Sequence, residues 1–293
     1  MNPSKLLTIF MFFLCVASGS AQKFDIKVYG GASYYLGDLA PYTNNLSFSK
    51  GRAVGGIALT IPIAKEVTLT GRLMHGSIEG SDELARSYNR LRRNLSFRSP
   101  LTELSVTTEV YMSEILPFIK KWGVDFYVYS GISIFKFNPR TLYEGEWIDL
   151  QPLGTEGQGV VEFGGIPKYN LIQVGIPLGL GIEFHLTEKI TLGFEVAPRL
   201  TFTDYLDDVS SNYVDYDRQV EVQGLLVANL ANRIAEFERS NDPTLTQSYP
   251  FPTHYPGYVR GDSTDNDWYL FTNFIVGYSF DTIEEEEKPR TQF

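Results

Sequence analysis

The groups in this sequence with chemistry to offer are its three histidines, a set of aspartates in the second half, and charged residues inside apolar-alternating segments. His75, His185 and His254 fall on a strand end, a tight turn and a long connection, so their placement argues against a shared zinc site. A hydrolase would need a base and an orienter, and His254 with Asp262 is the pair that offers both. No serine stands in the sharp glycine-flanked elbow of such enzymes, and His-plus-Asp coincidences are frequent. Asp204, Asp207, Asp208, Asp215, Asp217, Asp262, Asp265 and Asp267 could supply carboxylate oxygens to calcium, but their spacing matches no EF-hand loop. A solvated acidic surface is the commoner outcome. Phosphate loops, dinucleotide fingerprints and metal-ligand runs are missing too; the glycines of Gly175 to Gly181 share one face at period two, which suits a thinned wall or strong curvature. The reading therefore assigns no catalytic residue, no cofactor and no metal, and takes the protein as non-enzymatic.

The charged residues sit in segments that alternate at period two, as strands between an apolar and a polar medium must. Phe24, Ile26, Val28, Ala32 and Tyr34 oppose Asp25, Lys27, Tyr29, Gly31 and Ser33. Ala53, Ile57, Leu59, Ile61 and Ile63 oppose Arg52, Gly56, Ala58 and Thr60. Val67, Leu69 and Leu73 face away from Thr68, Thr70 and Arg72, and Leu104, Val106, Val110 and Met112 from Glu103, Ser105, Thr107 and Glu109. The later segments are cleaner: Ile172 to Phe184 opposes Gln173 to Glu183, and Ile190 to Phe202 opposes Thr191 to Thr201. A last strand carries Trp268, Leu270, Phe274, Val276, Tyr278 and Phe280 on one face, and Phe126 to Phe137 forms a further strand with less distinct faces. Its aromatic content suits an interface girdle or a packed interior.

Connections near 62–66, 115–123 and 186–189 are short, while those near 39–50, 77–100, 138–169 and 205–267 are long. Strict alternation of short and long joins predicts an all-β fold: a transmembrane antiparallel up-and-down barrel of about eight strands, with periplasmic turns and long extracellular loops. A hairpin within 138–169, built from Glu146 to Leu150 and Gly159 to Phe163, would change the strand count by two. The lumen of so narrow a barrel is filled by side chains. Asp25, Lys27, Arg52, Arg72, Glu103, Glu109, Glu183, Glu195 and Arg199 are expected to point into it. An ion path or a catalytic pair would use such groups, but a structural ion-pair network is favoured because buried charges persist when paired. In the longest connection, Leu226, Leu230, Ile234 and Phe237 recur at helical steps, predicting one helix over Val222 to Arg239. That helix either docks a partner or folds back over its own barrel mouth, the favoured outcome.

The ends bound the compartment. A lysine, an apolar run from Leu6 to Leu14 and the small residues Gly19 and Ala21 form an export leader over 1–21, with the mature chain starting at Gln22. Cys15 is the only cysteine, and Phe13 and Leu14 before it do not suit lipidation. The mature barrel is expected to span 22–281 and to leave an acidic periplasmic tail over 282–293. A net charge of −10 argues against nucleic acid. Near-neutral mean hydropathy, −0.12, fits alternating strands that escape a hydropathy window, and the aromatics of VGYSF end the last strand as a barrel-insertion signal does.

Four stretches, YLGDL at Tyr35 to Leu39, GISIFKFNP at Gly131 to Pro139, IQVGIPLGLGIEF at Ile172 to Phe184 and EVAPRLTFTDYLDDVS at Glu195 to Ser210, together resemble the PorG-like outer-membrane barrel family of Bacteroidota. The resemblance runs over most of Gln22 to Phe280. It implies a structural role in type nine protein secretion and gliding at the cell outer membrane, with outer-membrane lipids, a PorK-like ring lipoprotein and that lipoprotein's periplasmic partner as contacts. The segments for such a contact would be Leu116 to Lys121, His185 to Lys189 and Asp281 to Phe293. An outer-membrane binding barrel, holding a surface partner or ligand with its extracellular loops, is the alternative.

Overall fold

A computed structural model describes residues 23–40, 51–112, 124–241 and 257–281. The expected leader, the turn at 116–121, His254 and the tail beyond residue 281 lie outside them. Eight strands form the wall: β1 (Lys23–Leu36), β2 (Arg52–Pro62), β3 (Val67–Ser81), β4 (Ser96–Tyr111), β5 (Val124–Phe137), then, after the short β6 (Arg140–Tyr143) and β7 (Glu146–Asp149), β8 (Ile172–His185), β9 (Ile190–Thr201) and β10 (Trp268–Asp281). Each pairs antiparallel with its sequence neighbour in the wall, and β3 pairing with β4 and β1 with β10 leaves no open edge. Closure is what a membrane requires, since an unpaired edge has no water to bond. Lys23 pairs with Asp281, so both ends of the barrel chain lie at the end carrying the short turns.

Side-chain direction follows the predicted alternation. Ile26, Val28, Ile57, Leu73, Ile132, Val174, Leu180, Leu192, Phe274 and Val276 are exposed on the outer wall, whereas Lys27, Arg72, Glu103, Glu109, Glu183, Glu195 and Arg199 are buried inside. An apolar exterior around an ionic interior inverts a soluble protein and marks a wall whose solvent is lipid. The wall strands, 11 to 16 residues long, meet or exceed the roughly 9–11 that a tilted strand needs to cross.

Three expectations need correction. The loop expected over 77–100 is confined to 82–95, because β3 runs on to Ser81 and β4 starts at Ser96. Ile78, Gly80, Phe97 and Ser99 keep the inward parity, but Glu79 and Arg98 outward disguise the period. The faces of β5 are in fact distinct: Tyr127, Tyr129, Phe135 and Phe137 are buried within the lumen while Phe126, Val128, Ile132 and Ile134 face out. Apolar residues on both sides hid that division. The single helix expected over Val222 to Arg239 is broken into α2 (Tyr216–Gln223), α3 (Leu225–Ala231) and α4 (Ile234–Asn241), following α1 (Tyr88–Arg93) in the 82–95 loop. Gly224 at φ 93 stops α2, and Asn232 leaves helical geometry before α4. Leu226 is consequently exposed, while Val227, Ala228, Leu230 and Ile234 are buried.

The 138–169 connection does contain a hairpin. Glu146–Asp149 is its second arm, with Arg140–Tyr143 as the first; Gly159 and Gly164, at φ 81 and 93, instead make turns about a short 3-10 segment. The hairpin joins the wall only at Arg98↔Arg140, so the barrel stays eight-stranded.

Candidate functional site

The concentrated chemistry of this chain lies along the barrel axis. Nearest the short turns, Lys27 on β1 donates to Glu183 on β8 at 2.6 Å and lies 3.5 Å from Glu109 on β4. The Tyr111 hydroxyl, 3.1 Å from the Lys27 ammonium, bridges the same carboxylates. Above them Arg72 on β3 pairs with Glu109, donates to Thr107 at 2.9 Å and lays its guanidinium 4.0 Å from the centre of the Tyr129 ring. Glu195 on β9 accepts from the Tyr127 hydroxyl at 3.2 Å and from Asn273 at 3.0 Å. Higher again, Arg199 holds Glu103 across the lumen at 3.1 Å over the Phe271 ring, and the Tyr269 hydroxyl donates to Glu103 at 2.6 Å.

Three cations thus meet four carboxylates on five strands, and every one of these carboxylates accepts hydrogen bonds. Such an arrangement fixes strands to one another and fills the space an ion would need. The period-two glycines of β8 complete the packing. A Cβ on Gly179 would sit 2.2 Å from the Tyr129 ring, and one on Gly181 2.2 Å from the Tyr127 ring. The two glycines are therefore sockets for tyrosine rings, the close approach that the glycine face of β8 anticipates.

A second network closes the end that carries the long connections. After β9 the chain turns inward, burying Leu206, Asp207, Asp208 and Val209. The Tyr35 hydroxyl lies 2.7 Å from Asp207 and 2.6 Å from Asp267. One hydroxyl proton serves one carboxylate, so the second short contact requires a carboxyl that keeps its own proton and donates it to the phenol oxygen. Burial pushes both aspartates up, with their mutual repulsion adding at Asp267. Asp38, Asp204 and Arg93 are the other charges acting on the pair. Beside it Asp208 accepts from Thr155 and Tyr169, each at 2.6 Å, and burial lifts it to about 6 against the pull of Arg260. Asp204, half-buried, is pushed by burial to about 8. Arg260 pairs with Glu156 at 2.8 Å and donates to the Asp208 carbonyl at 2.6 Å. Asp82 receives Arg90 and Arg93 from α1, and Arg93 also donates to the Asp38 carbonyl at 3.0 Å.

These raised values have a sign. A carboxyl that holds its proton more tightly folded than unfolded stabilises the fold at low pH and loses that contribution as pH rises. The cap should therefore weaken from about pH 4 upward, the loss continuing through the values of about 6 for Asp208 and about 8 for Asp204. Hydrogen exchange of 203–210 should quicken over that range, and Asp267→Asn should flatten the rise. Exchange independent of pH, after correction for the intrinsic rate, would contradict the shared proton.

The other expected groups scatter. Asp25 is half-buried near the short turns, and Arg52 pairs with Glu79 at the rim, 3.5 Å away. His75 lies within β3 facing outward against Thr102, while His185 ends β8 and contacts Asp125 at 2.9 Å. Of the aspartates weighed for calcium, Asp207, Asp208 and Asp267 are buried rather than solvated, whereas Asp215 caps α2 through the Arg218 amide. Among the described residues no three acidic, histidine or cysteine side chains are placed to hold a metal ion. Sequence reasoning missed Tyr35, Asp82, Glu156 and Arg260. Tyr35 continues the inward parity of β1, but nothing local marks the other three.

Residues 4–151 match the family described as a domain of unknown function, DUF6089. The chain belongs to the DUF6089 family. The matched half of this DUF6089 protein covers β1 to β7, and the connection that builds most of the cap falls beyond it. No curated protein matches the chain. Among solved structures it is similar to the N-terminal β-barrel domain of OprF from Pseudomonas aeruginosa, at 8% identity and TM-score 0.35 over 89% of this chain and 98% of that one. Neisserial surface protein A is similar at 8% identity and TM-score 0.40, over 88% and 97%. Ail of Yersinia pestis, in complex with a heparin analogue, is similar at 7% identity and TM-score 0.39, over 89% and 100%. The apolar wall, ionic lumen and closed up-and-down topology make this DUF6089 chain an outer-membrane barrel in contact with lipid.

Proposed function

We propose that this barrel is a solid outer-membrane anchor with a structural role in type nine protein secretion and gliding, holding ring components at its short-turn end. The observation that carries this reading is the filled lumen. Ion pairs on five strands and rings socketed on Gly179 and Gly181 suit a rigid peg. The sequence stretches that resemble PorG-like barrels support the choice of machinery. In this reading 1–21 is a cleaved leader, the short turns and the tail beyond residue 281 are periplasmic, and the capped end is extracellular. Contact with a PorK-like ring lipoprotein and its partner falls to 116–121, to His185–Lys189, where Leu186 is exposed, and to the tail.

The test is purification of the tagged chain in mild detergent from its own outer membranes. Ring lipoprotein and its partner at stoichiometric level are expected; a barrel recovered without them removes the secretion role. A second reading, in which the capped end binds a surface partner, draws on the described part of the connection after β9, where Leu225 and Leu226 stay exposed beside buried neighbours. Loop exchange that abolishes partner binding and leaves secretion intact would separate the two.

A further inference from the structure

The outer wall is not uniform. On β8 and β9 the outward face stays apolar up to the capped end and on β10 Thr272 alone interrupts it, with Ile172, Phe202 and Trp268 exposed there. On β3, β4 and β5 it changes after Leu73, Leu104 and Ile134. His75, Thr102 and Lys136 follow in one register row, with His75 and Lys136 exposed. Four residues further, Glu79 pairs across to Arg98, Arg98 to Arg140 and Arg140 to Asp149. Arg98 lays its guanidinium 4.7 Å from the centre of the Trp147 ring, and Leu142 stands opposite Trp147 on the hairpin. Arg52, Arg98 and Arg140 keep 37%, 37% and 43% of their side chains exposed while paired with Glu79 or Asp149.

This strip sets four cations, Arg52, Arg98, Lys136 and Arg140, against two carboxylates, Glu79 and Asp149, on a chain whose net charge is −10. It adjoins the lipid-facing belt directly, since Lys136 pairs in register with Ile172. Trp147 and Leu142, each 46% exposed, add apolar surface beside the charges. An aromatic next to cations at the edge of an apolar band fits the headgroup region of a bilayer, where ring and alkyl stem meet acyl chain and the charged tip meets phosphate. We propose that this strip, centred on Arg98 and Lys136, binds the phosphate of an anionic lipid headgroup. The bound lipid's tails lie along the apolar wall between Ile134 and Ile172.

Native mass spectrometry of the barrel in micelles doped with phosphatidylglycerol tests this. The wild-type barrel should retain phosphatidylglycerol over phosphatidylcholine, and each of Lys136→Gln and Arg98→Gln should weaken retention about fivefold, as expected of a basic residue near an anionic surface. Lys189→Gln at the other end should change nothing. Both test residues are partly exposed and outside the lumen, and a retained heat-modifiable band checks folding. Equal retention of the two lipids, undiminished retention in the double variant, or full displacement by millimolar inorganic phosphate would each overturn the proposal, the last by showing a free-anion site.

Discussion

Glu103→Ala should destabilise the barrel by about 3–5 kcal/mol, the range for removing one partner of a buried ion pair. Glu103 is fully buried and holds both Arg199, at 3.1 Å, and the Tyr269 hydroxyl, at 2.6 Å. Truncation leaves the guanidinium of Arg199, equally buried, with the Ala197 carbonyl at 2.8 Å and the Tyr129 hydroxyl at 3.4 Å, neither of which carries compensating charge. Most of the cost is thus the stranded cation rather than the lost contact. Urea unfolding in detergent micelles, followed by tryptophan fluorescence, measures it. Replacing both partners, Glu103→Leu with Arg199→Met, should recover most of the loss, because an apolar pair of similar volume is often no less stable than a buried salt bridge. If Glu103→Ala unfolds like wild type, water reaches Arg199 and the lumen is not the dry plug described here. A double variant as unstable as the single one would instead mean that the ion pair ties β4 to β9 across the lumen in a way that packing alone does not.

The wall was legible because its physics is local. Period-two alternation with charged residues on one face can be read from any eleven or so residues, and Lys27, Arg72, Glu103, Glu109, Glu183, Glu195 and Arg199 all lie inside as their parity requires. What the parity cannot give is partnership. Lys27 bonds Glu183 from 156 positions away and Arg199 meets Glu103 from 96, distances set by how the sheet closes. The cap was the least legible part for the same reason. Asp207, Asp208 and Asp267 read as solvated acids, yet Tyr35, Tyr169 and Arg260 converge on them from remote segments and take them out of water. Helical spacing in 222–239 misled because Gly224, at φ 93, cuts off the first two residues and Asn232, in extended geometry, breaks the apolar period between Leu230 and Ile234. The charged ends of β3 and β4 misled in the opposite direction. Glu79 and Arg98 resemble loop residues in sequence and are strand residues that face outward beyond the apolar belt.

Leu178→Arg should cost about 2–4 kcal/mol if the belt around it is in lipid, whereas Ile172→Arg, near the strand end, should cost about 0–1. Leu178 sits midway along β8 with its side chain on the outer wall, opposite Ser130 of β5. A soluble barrel with the same alternation would show no such dependence on depth, since a long charged side chain on a wet surface is close to neutral. The comparison of the two positions therefore tests the solvent rather than the fold: both lie on the same strand and the same face, with Val174, Ile176 and Leu180 as apolar neighbours along β8. Folding into phosphatidylcholine vesicles, scored as the fraction of barrel that migrates compactly without heating, supplies the measurement across a urea series. Equal, small effects at both positions would leave the barrel closed and its lumen intact but would take its outer wall out of the membrane. A large effect at Leu178 that fades towards Ile172 locates the edge of the hydrocarbon, and it places Lys136, the register partner of Ile172, at the height where headgroup phosphates begin.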